Sequence, residues 1–229
     1  MKPSAYYDPQ AIDREVKQGR HRAAIGGLWE EMGNFQFDFL TSQGLRPEHK
    51  MLDVGCGALR FGRLAVDYLE AGNYYGQDLS EKILEAGYTI ELTDEQRLKL
   101  PRKNLATNAD FDFSHVDTPV DFAIAQSVFT HLPYNHIRHC LIKLLPHMAA
   151  GGVFFATYWS RPEEHSPAED FTQPGELDGE RVVTTSMADP YHYSFSDLEY
   201  AISGLGWHVE KISSFAHPRG QKALKFSNK

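Results

Sequence analysis

Cysteine is nearly absent. The 229 residues hold two, Cys56 and Cys140, too few for a disulfide scaffold and in no CxxC or Cys/His spacing that would bind zinc. A reducing compartment suits such a chain, so a cytoplasmic location is expected. Long apolar runs are missing as well: no stretch approaches the roughly 18 residues of a membrane span. The first thirty residues carry charges throughout, without the apolar run of a secretory signal. Positive charge is scarce, with 31 acidic against 23 basic residues and a formal charge of −8, a field that repels a phosphate backbone. The densest basic stretch, Arg97 to Lys103, is broken by Leu98, Leu100 and Pro101 and reads as a solvated helix end. Nucleic acid is therefore not an expected partner. Internal repeats and low-complexity segments are also lacking, and no pair of carboxylates at a divalent-metal spacing lies near the apolar run Phe122 to Ala125, so no metal is expected.

What is present is a globular composition, 41% hydrophobic and 24% charged, at a length that suits one large α/β domain. Residues 8 to 42 show no strand-like alternation. Ile12, Val16, Leu28, Met32, Phe35, Phe39 and Leu40 recur there at helical spacing, and Gly44 and Pro47 follow as stop signals. Beyond them, short apolar runs alternate with helical patterns, as in a parallel sheet with crossover helices. Strands are expected at Met51 to Val54, Tyr74 to Gln77, Phe122 to Ala125 and Val153 to Thr157. Helices are expected at Leu59 to Leu69, Glu81 to Leu92 and Tyr134 to Met148, with a further one starting near Ser196. Trp207 to Phe215 and Ala223 to Phe226 flank His217-Pro218-Arg219-Gly220 and predict an antiparallel hairpin. Residues 160 to 190, rich in Pro, Glu, Asp, Gly and Thr, read as an ordered loop.

The strongest local signal is Met51-Leu52-Asp53-Val54-Gly55-Cys56-Gly57-Ala58-Leu59-Arg60, a strand running into a glycine turn and a helix. Gly55 and Gly57 allow close backbone approach to a ligand, and the helix start offers unpaired N–H groups. The dinucleotide pattern GxGxxG would need glycine where this chain has Arg60, which weakens a nicotinamide reading. Cys56 reads as a small packing residue.

Leu52-Asp53-Val54-Gly55-Cys56-Gly57 resembles the cofactor-binding turn of class I S-adenosylmethionine-dependent methyltransferases. Three later stations resemble the same family: Gln77-Asp78-Leu79-Ser80 after the second strand, Asn108-Ala109-Asp110-Phe111 after the third, and the run Val120 to Leu132 around the fourth. The resemblance implies a Rossmann-like, doubly wound α/β fold. Its sheet would have seven mostly parallel strands with an antiparallel last strand, preceded by an N-terminal helical segment.

It also implies S-adenosyl-L-methionine as cofactor, bound by Asp53, Gly55, Gly57, Asp78, Leu79, Asp110, Phe111 and Gln126. Asp78 would take the ribose, Asp110 and Phe111 the adenine, and Asp53 the ammonium group or a cap on the turn. One domain is expected over 1–229: a helical cap at 1–47, the cofactor core at 48–159, a substrate loop or lid at 160–195, and a C-terminal helix and hairpin at 196–229. His131, a few residues past the fourth strand, and His192, in Tyr191-His192-Tyr193, are the candidate catalytic bases. The expected acceptor is a small molecule, sugar or lipid, since no Asn/Asp-Pro-Pro-Tyr/Phe run follows the fourth strand. Two other readings stay open: a silent cofactor-binding or partner module, and a nicotinamide-dependent oxidoreductase.

Overall fold

The computed structural model describes residues 8–177 and 179–228; residues 1–7 of the expected helical cap lie outside them. The chain forms two compact units, Ala5–Ala123 and Ile124–Lys229, with the boundary in sequence inside the fourth strand.

The N-terminal unit begins with helices α1 (Pro9–Lys17), α2 (His21–Ala24) and α3 (Trp29–Ser42), as the apolar spacing predicts. Asp8 caps α1 by accepting from the backbone N–H groups of Gln10 and Ala11. Beyond α3, Gly44 takes φ 96°, a left-handed turn that stops the helix. Strand β1 (Met51–Val54), helix α4 (Gly62–Tyr68), strand β2 (Tyr74–Asp78), helices α5 (Glu81–Ala86) and α6 (Asp94–Lys99), and strand β3 (Leu105–Thr107) follow. The expected helix Glu81 to Leu92 is α5 plus a π-helical turn, Gly87–Glu91. That turn lies flat on the backbone of Ala58: a Cβ at Gly87 would sit 2.5 Å from the Ala58 carbonyl carbon. β1 pairs parallel with β2, and β2 with β3. Met51, Leu52 and Val54 are all buried, the signature of a strand covered on both faces.

Strand β4 (Val120–Ala125) stands beside β1 in the strand order β3-β2-β1-β4. In the C-terminal unit come helix α7 (Tyr134–Leu144), the long strand β5 (Met148–Ser160), strands β6 (Phe171–Leu177), β7 (Glu180–Thr184) and β8 (His192–Tyr193), helix α8 (Phe195–Ala201), and strands β9 (Trp207–Lys211) and β10 (Lys222–Asn228). The order here is β4-β5-β10-β9, with β10 antiparallel to both neighbours and β8 added parallel to the end of β5. The mostly parallel α/β sheet with a reversed last strand is thus present, with eight strands among the described residues where seven were expected, β8 being the addition.

Phe154 and Phe226 stack at 5.4 Å, Phe129 and Trp207 pack on the same pair, and the Trp207 indole N–H donates to the Leu141 carbonyl. These rings hold β5, β9, β10 and α7 together. Residues 160–190 are not a plain loop: β6 and β7 form a separate antiparallel hairpin. Its signals were Asp178-Gly179 in the sequence, a strong hairpin dipeptide, and the β-branched run Val182-Val183-Thr184-Thr185. Among the described residues no helix is long and apolar enough to cross a membrane.

The Gly87 contact is backbone on backbone, so relief requires the π-helical turn to move. Gly87→Ala should destabilise the protein by about 1–3 kcal/mol, read as a lower urea midpoint with an unchanged slope; an unaltered midpoint would show that the turn yields freely.

Candidate active site

After β1 the chain turns through Gly55 (φ 74°) and Gly57 (φ 55°), the left-handed region where a side chain is strained. The turn is stitched to the end of β2. The N–H groups of Gly55 and Cys56 both donate to the Gln77 carbonyl, at 2.7 and 3.1 Å. Asp78 Oδ2 accepts from Gly57 N–H and Oδ1 from Ser80 N–H, each at 2.8 Å. Burial raises the Asp78 carboxyl above the usual range, while the N–H groups of Ser80, Gly57 and Leu79 pull it back. Asp78 therefore closes the glycine turn and fixes an oriented carboxylate at the carboxyl end of β2. Half-buried Leu79 follows, and Ser80 caps α5 by accepting from Ile83 N–H.

Asp53 is 2% exposed, and its Oδ2 accepts from the Tyr74 hydroxyl at 2.8 Å. Burial pushes its carboxyl up to about 7, with the Tyr74 hydrogen bond opposing and the Asp78 charge adding. Cys56 is buried and its thiol is pushed well up by desolvation, which fits packing rather than nucleophilic chemistry. Asn108 closes the loop after β3 with two bonds, Nδ2 to the Asp112 carbonyl and Asp112 N–H to Oδ1. Asp110 is exposed in this loop; Phe111 is buried at φ 52°, its ring 6.4 Å from Phe113.

The N-terminal helices cover this turn within the same unit. An added Cβ at Gly57 would meet Ile25 Cγ2 at 3.1 Å. Arg60, the residue that breaks the dinucleotide pattern, donates to the Gly27 carbonyl at 2.8 Å. Trp29 packs with Ile12, Ala58 and Ile83, and the Arg22 guanidinium lies 4.6 Å from its ring centre.

In the C-terminal unit, Gln126 ends up buried against His217 (2.6 Å between Nε2 atoms), and Arg219 N–H donates to His217 Nδ1. A neutral ring accepting at Nδ1 carries its hydrogen on Nε2, so the amide oxygen of Gln126, not its nitrogen, faces the ring. Ser127 holds φ 58°. Its N–H donates to Thr157 Oγ1 and its hydroxyl to Gln221 Oε1, which also accepts from Thr157. A non-glycine residue held so firmly in a left-handed conformation at a strand end is strain of the kind found at functional sites.

His131 ends a 3-10 turn, Phe129–His131, with Nδ1 2.6 Å from Asp189 Oδ1. His192 is 1% exposed, on β8, with Nδ1 3.0 Å from Thr184 Oγ1 and a buried Nε2 that meets no hydrogen-bond partner. Burial, then Arg161 and His165, lower its pKa, so the ring is neutral. Tyr74, Asp189, His217, Gln221 and Thr157 were not assigned roles from the sequence, because each acts through a partner 21 to 94 positions away.

Residues 52–154 match the family model described as "Methyltransferase domain". The match covers a little under half of the chain and places a methyltransferase domain there. Solved structures share the fold of this methyltransferase at low identity. Magnesium protoporphyrin IX methyltransferase from Synechocystis, with bound S-adenosylmethionine, is 13% identical with TM-score 0.60, covering 100% of both chains. An S-adenosylmethionine-dependent methyltransferase from Clostridium acetobutylicum is 12% identical with TM-score 0.63, over 95% of this chain and 98% of that one. An amino pentose methyltransferase from Micromonospora echinaspora is 15% identical with TM-score 0.58, over 100% of both.

S-adenosylmethionine is the family's cofactor, and this chain's residues suit it. Asp78 is a held carboxylate suited to hydroxyls, and Asp53 is a desolvated carboxyl that a cation would stabilise in its charged form.

The raised Asp53 pKa has a definite sign. The folded state holds the proton more tightly than the unfolded chain, so the ionisation cost is absent below about pH 4 and grows until about pH 7. Asp53→Asn keeps an acceptor for Tyr74 and removes that cost. The stability gain of the variant over the wild type, from urea unfolding, should rise between pH 4 and 7 and then level off. A gap independent of pH would contradict the assignment.

Proposed function

We propose that this methyltransferase transfers a methyl group by in-line displacement to a small-molecule, sugar or lipid acceptor. The single observation that carries the reading is the Asp78 carboxylate tied to both the glycine turn and the start of α5. Asp53, Gly55, Gly57, Asp78, Leu79, Asp110, Phe111 and Gln126 form the proposed cofactor set. Asp78 takes the ribose hydroxyls, the loop bearing Asp110 and Phe111 takes the adenine, and Asp53 faces the ammonium end.

Bound, S-adenosylmethionine supplies a methyl group activated by a sulfonium. The chain's part is alignment and exclusion of water, and alignment alone accounts for up to roughly 7–11 kcal/mol of rate enhancement. His131 and His192 are the proposed acceptor-side histidines, the first half-buried and the second buried. Two proteins of this fold, a magnesium protoporphyrin IX methyltransferase and an amino pentose methyltransferase, support an acceptor of small-molecule kind. The formal charge of −8 supports one that is not nucleic acid. We read 1–229 as one methyltransferase domain working in the cytoplasm, with 1–47 as its cap and 160–195 on the acceptor side.

Calorimetric titration with S-adenosylhomocysteine tests the cofactor set. Micromolar binding is expected, weakened roughly ten- to hundredfold by Asp78→Ala, as loss of a charged hydrogen-bond acceptor implies. Equal affinity in the variant, with its fold checked by circular dichroism, would remove Asp78 from the site.

A further inference from the structure

We infer that residues 19–28 form a hinged strap against the glycine turn, latched shut by Glu91, and that opening of this latch gates entry and exit of the cofactor. The inference rests on the cofactor reading above and adds a conformational step to it. Strap and latch lie in the N-terminal unit, together with Asp53, Gly55, Gly57 and Asp78.

The strap is the four-residue helix α2 with its two connections. Gly19 takes φ 70° before it, and Gly26, Gly27 and Leu28 take φ 87°, 63° and 47° after it. A Cβ added at Gly19 or Gly27 would meet nothing within 4 Å, so these glycines answer to backbone conformation and not to crowding. Leu28 holds the same left-handed form with a side chain, which is strained. Left-handed breaks on both sides of a short helix are where a segment swings. The inner face of the strap is narrow: Ala24 and Ile25, both half-buried, pack on the cluster of Ile12, Trp29, Ala58 and Ile83. Arg60 holds the Gly27 carbonyl and so anchors the pivot rather than the helix.

The polar hold on α2 centres on one carboxylate. The Glu91 side chain, at the end of the π-helical turn, is 4% exposed. It accepts from His21 Nε2 at 2.5 Å, from Arg22 Nε at 2.7 Å and from Arg22 Nη2 at 2.6 Å. Burial raises its pKa, and the bonds from Arg22 and His21 more than offset that, so the group is ionised. The turn that carries Glu91 rests through Gly87 on the Ala58 backbone, so the latch and the glycine turn share one mount.

The closed state carries a cost of its own. His21 is buried, and its Nδ1 meets no hydrogen-bond partner; opening hydrates that nitrogen. The Arg22 side chain is 53% exposed, so water reaches the cation that must let go. A strong latch set against a strained pivot and an unmet buried nitrogen is a reversible closure, not a permanent seam.

Hydrogen exchange and binding kinetics test the two halves separately. In the ligand-free protein, Glu91→Gln keeps the size of the side chain and removes its charge. Exchange in the peptide covering 21–28 should become roughly tenfold faster or more, with an α7 peptide as control. Arg22→Gln, at an exposed side chain, should do the same and guards against misfolding. Arg20→Gln breaks the exposed pair with Glu15 in the same segment and should change nothing. By stopped-flow tryptophan fluorescence, S-adenosylhomocysteine should both associate and dissociate roughly tenfold faster in Glu91→Gln, with Kd nearly unchanged, because a gate slows both directions alike. Exchange unaltered in both latch variants, or equally raised by Arg20→Gln, overturns the latch. Faster exchange with unaltered kinetics overturns the gate, and a rise in dissociation alone makes Glu91 a stabiliser of the complex instead. Absence of binding by the wild type would refute the cofactor reading, and the gate with it, while the exchange result still decides the latch.

Discussion

Asp78 places one carboxylate between two backbone N–H groups, one from the glycine turn after β1 and one from the start of α5. Two further bonds from Gly55 and Cys56 to the Gln77 carbonyl hold the same turn against β2. These bonds hold the left-handed residues at 55 and 57 in place against the end of β2. The other features of the N-terminal unit are arranged around that junction: Ile25 lies over Gly57, Arg60 holds the Gly27 carbonyl, and the π-helical turn at Gly87 presses on Ala58. At Gly57 and Gly87 the packing is close enough that a single added carbon would be felt.

Burial and pairing work against each other at the acidic residues of this unit. Desolvation makes ionised Asp53 and Asp78 costly, and hydrogen bonds from Tyr74 and from backbone N–H groups recover only part of that cost. Carboxyls kept under such tension favour a ligand that brings hydroxyl donors or positive charge. His192 shows the opposite outcome, a ring driven neutral by burial, whereas His131 keeps partial exposure and a carboxylate partner.

Much of this was legible in the linear sequence because it rests on short-range periodicity and on glycines with a geometric duty. β1 was expected at Met51 to Val54 and occupies those residues; β2 and β4 extend their expected spans by one or two residues. Ser80, a residue type that favours the N-cap, stands directly before Glu81 and caps α5. The antiparallel ending was readable from two apolar runs across a short turn. The β6–β7 hairpin was not seen, because Phe171 to Leu177 contains Pro174 and Gly175 and lacks the apolar alternation that marks a strand. A Cβ at Gly175 would strike the Arg219 carbonyl oxygen at 2.0 Å, so its composition answers to a contact 44 residues away and not to strand propensity.

The sequence by itself determined the α/β class, the order of the elements, the glycine turn and the acidic residues at the strand ends, since these depend on interactions between residues a few positions apart. Only the tertiary structure decided which partner each polar side chain takes: Tyr74 for Asp53, His217 for Gln126, Asp189 for His131. Those pairings are formed by loops that are brought together only when the strands assemble. A hydrogen bond across 58 or 91 positions leaves no periodic trace in the chain, because neither residue constrains its own neighbours.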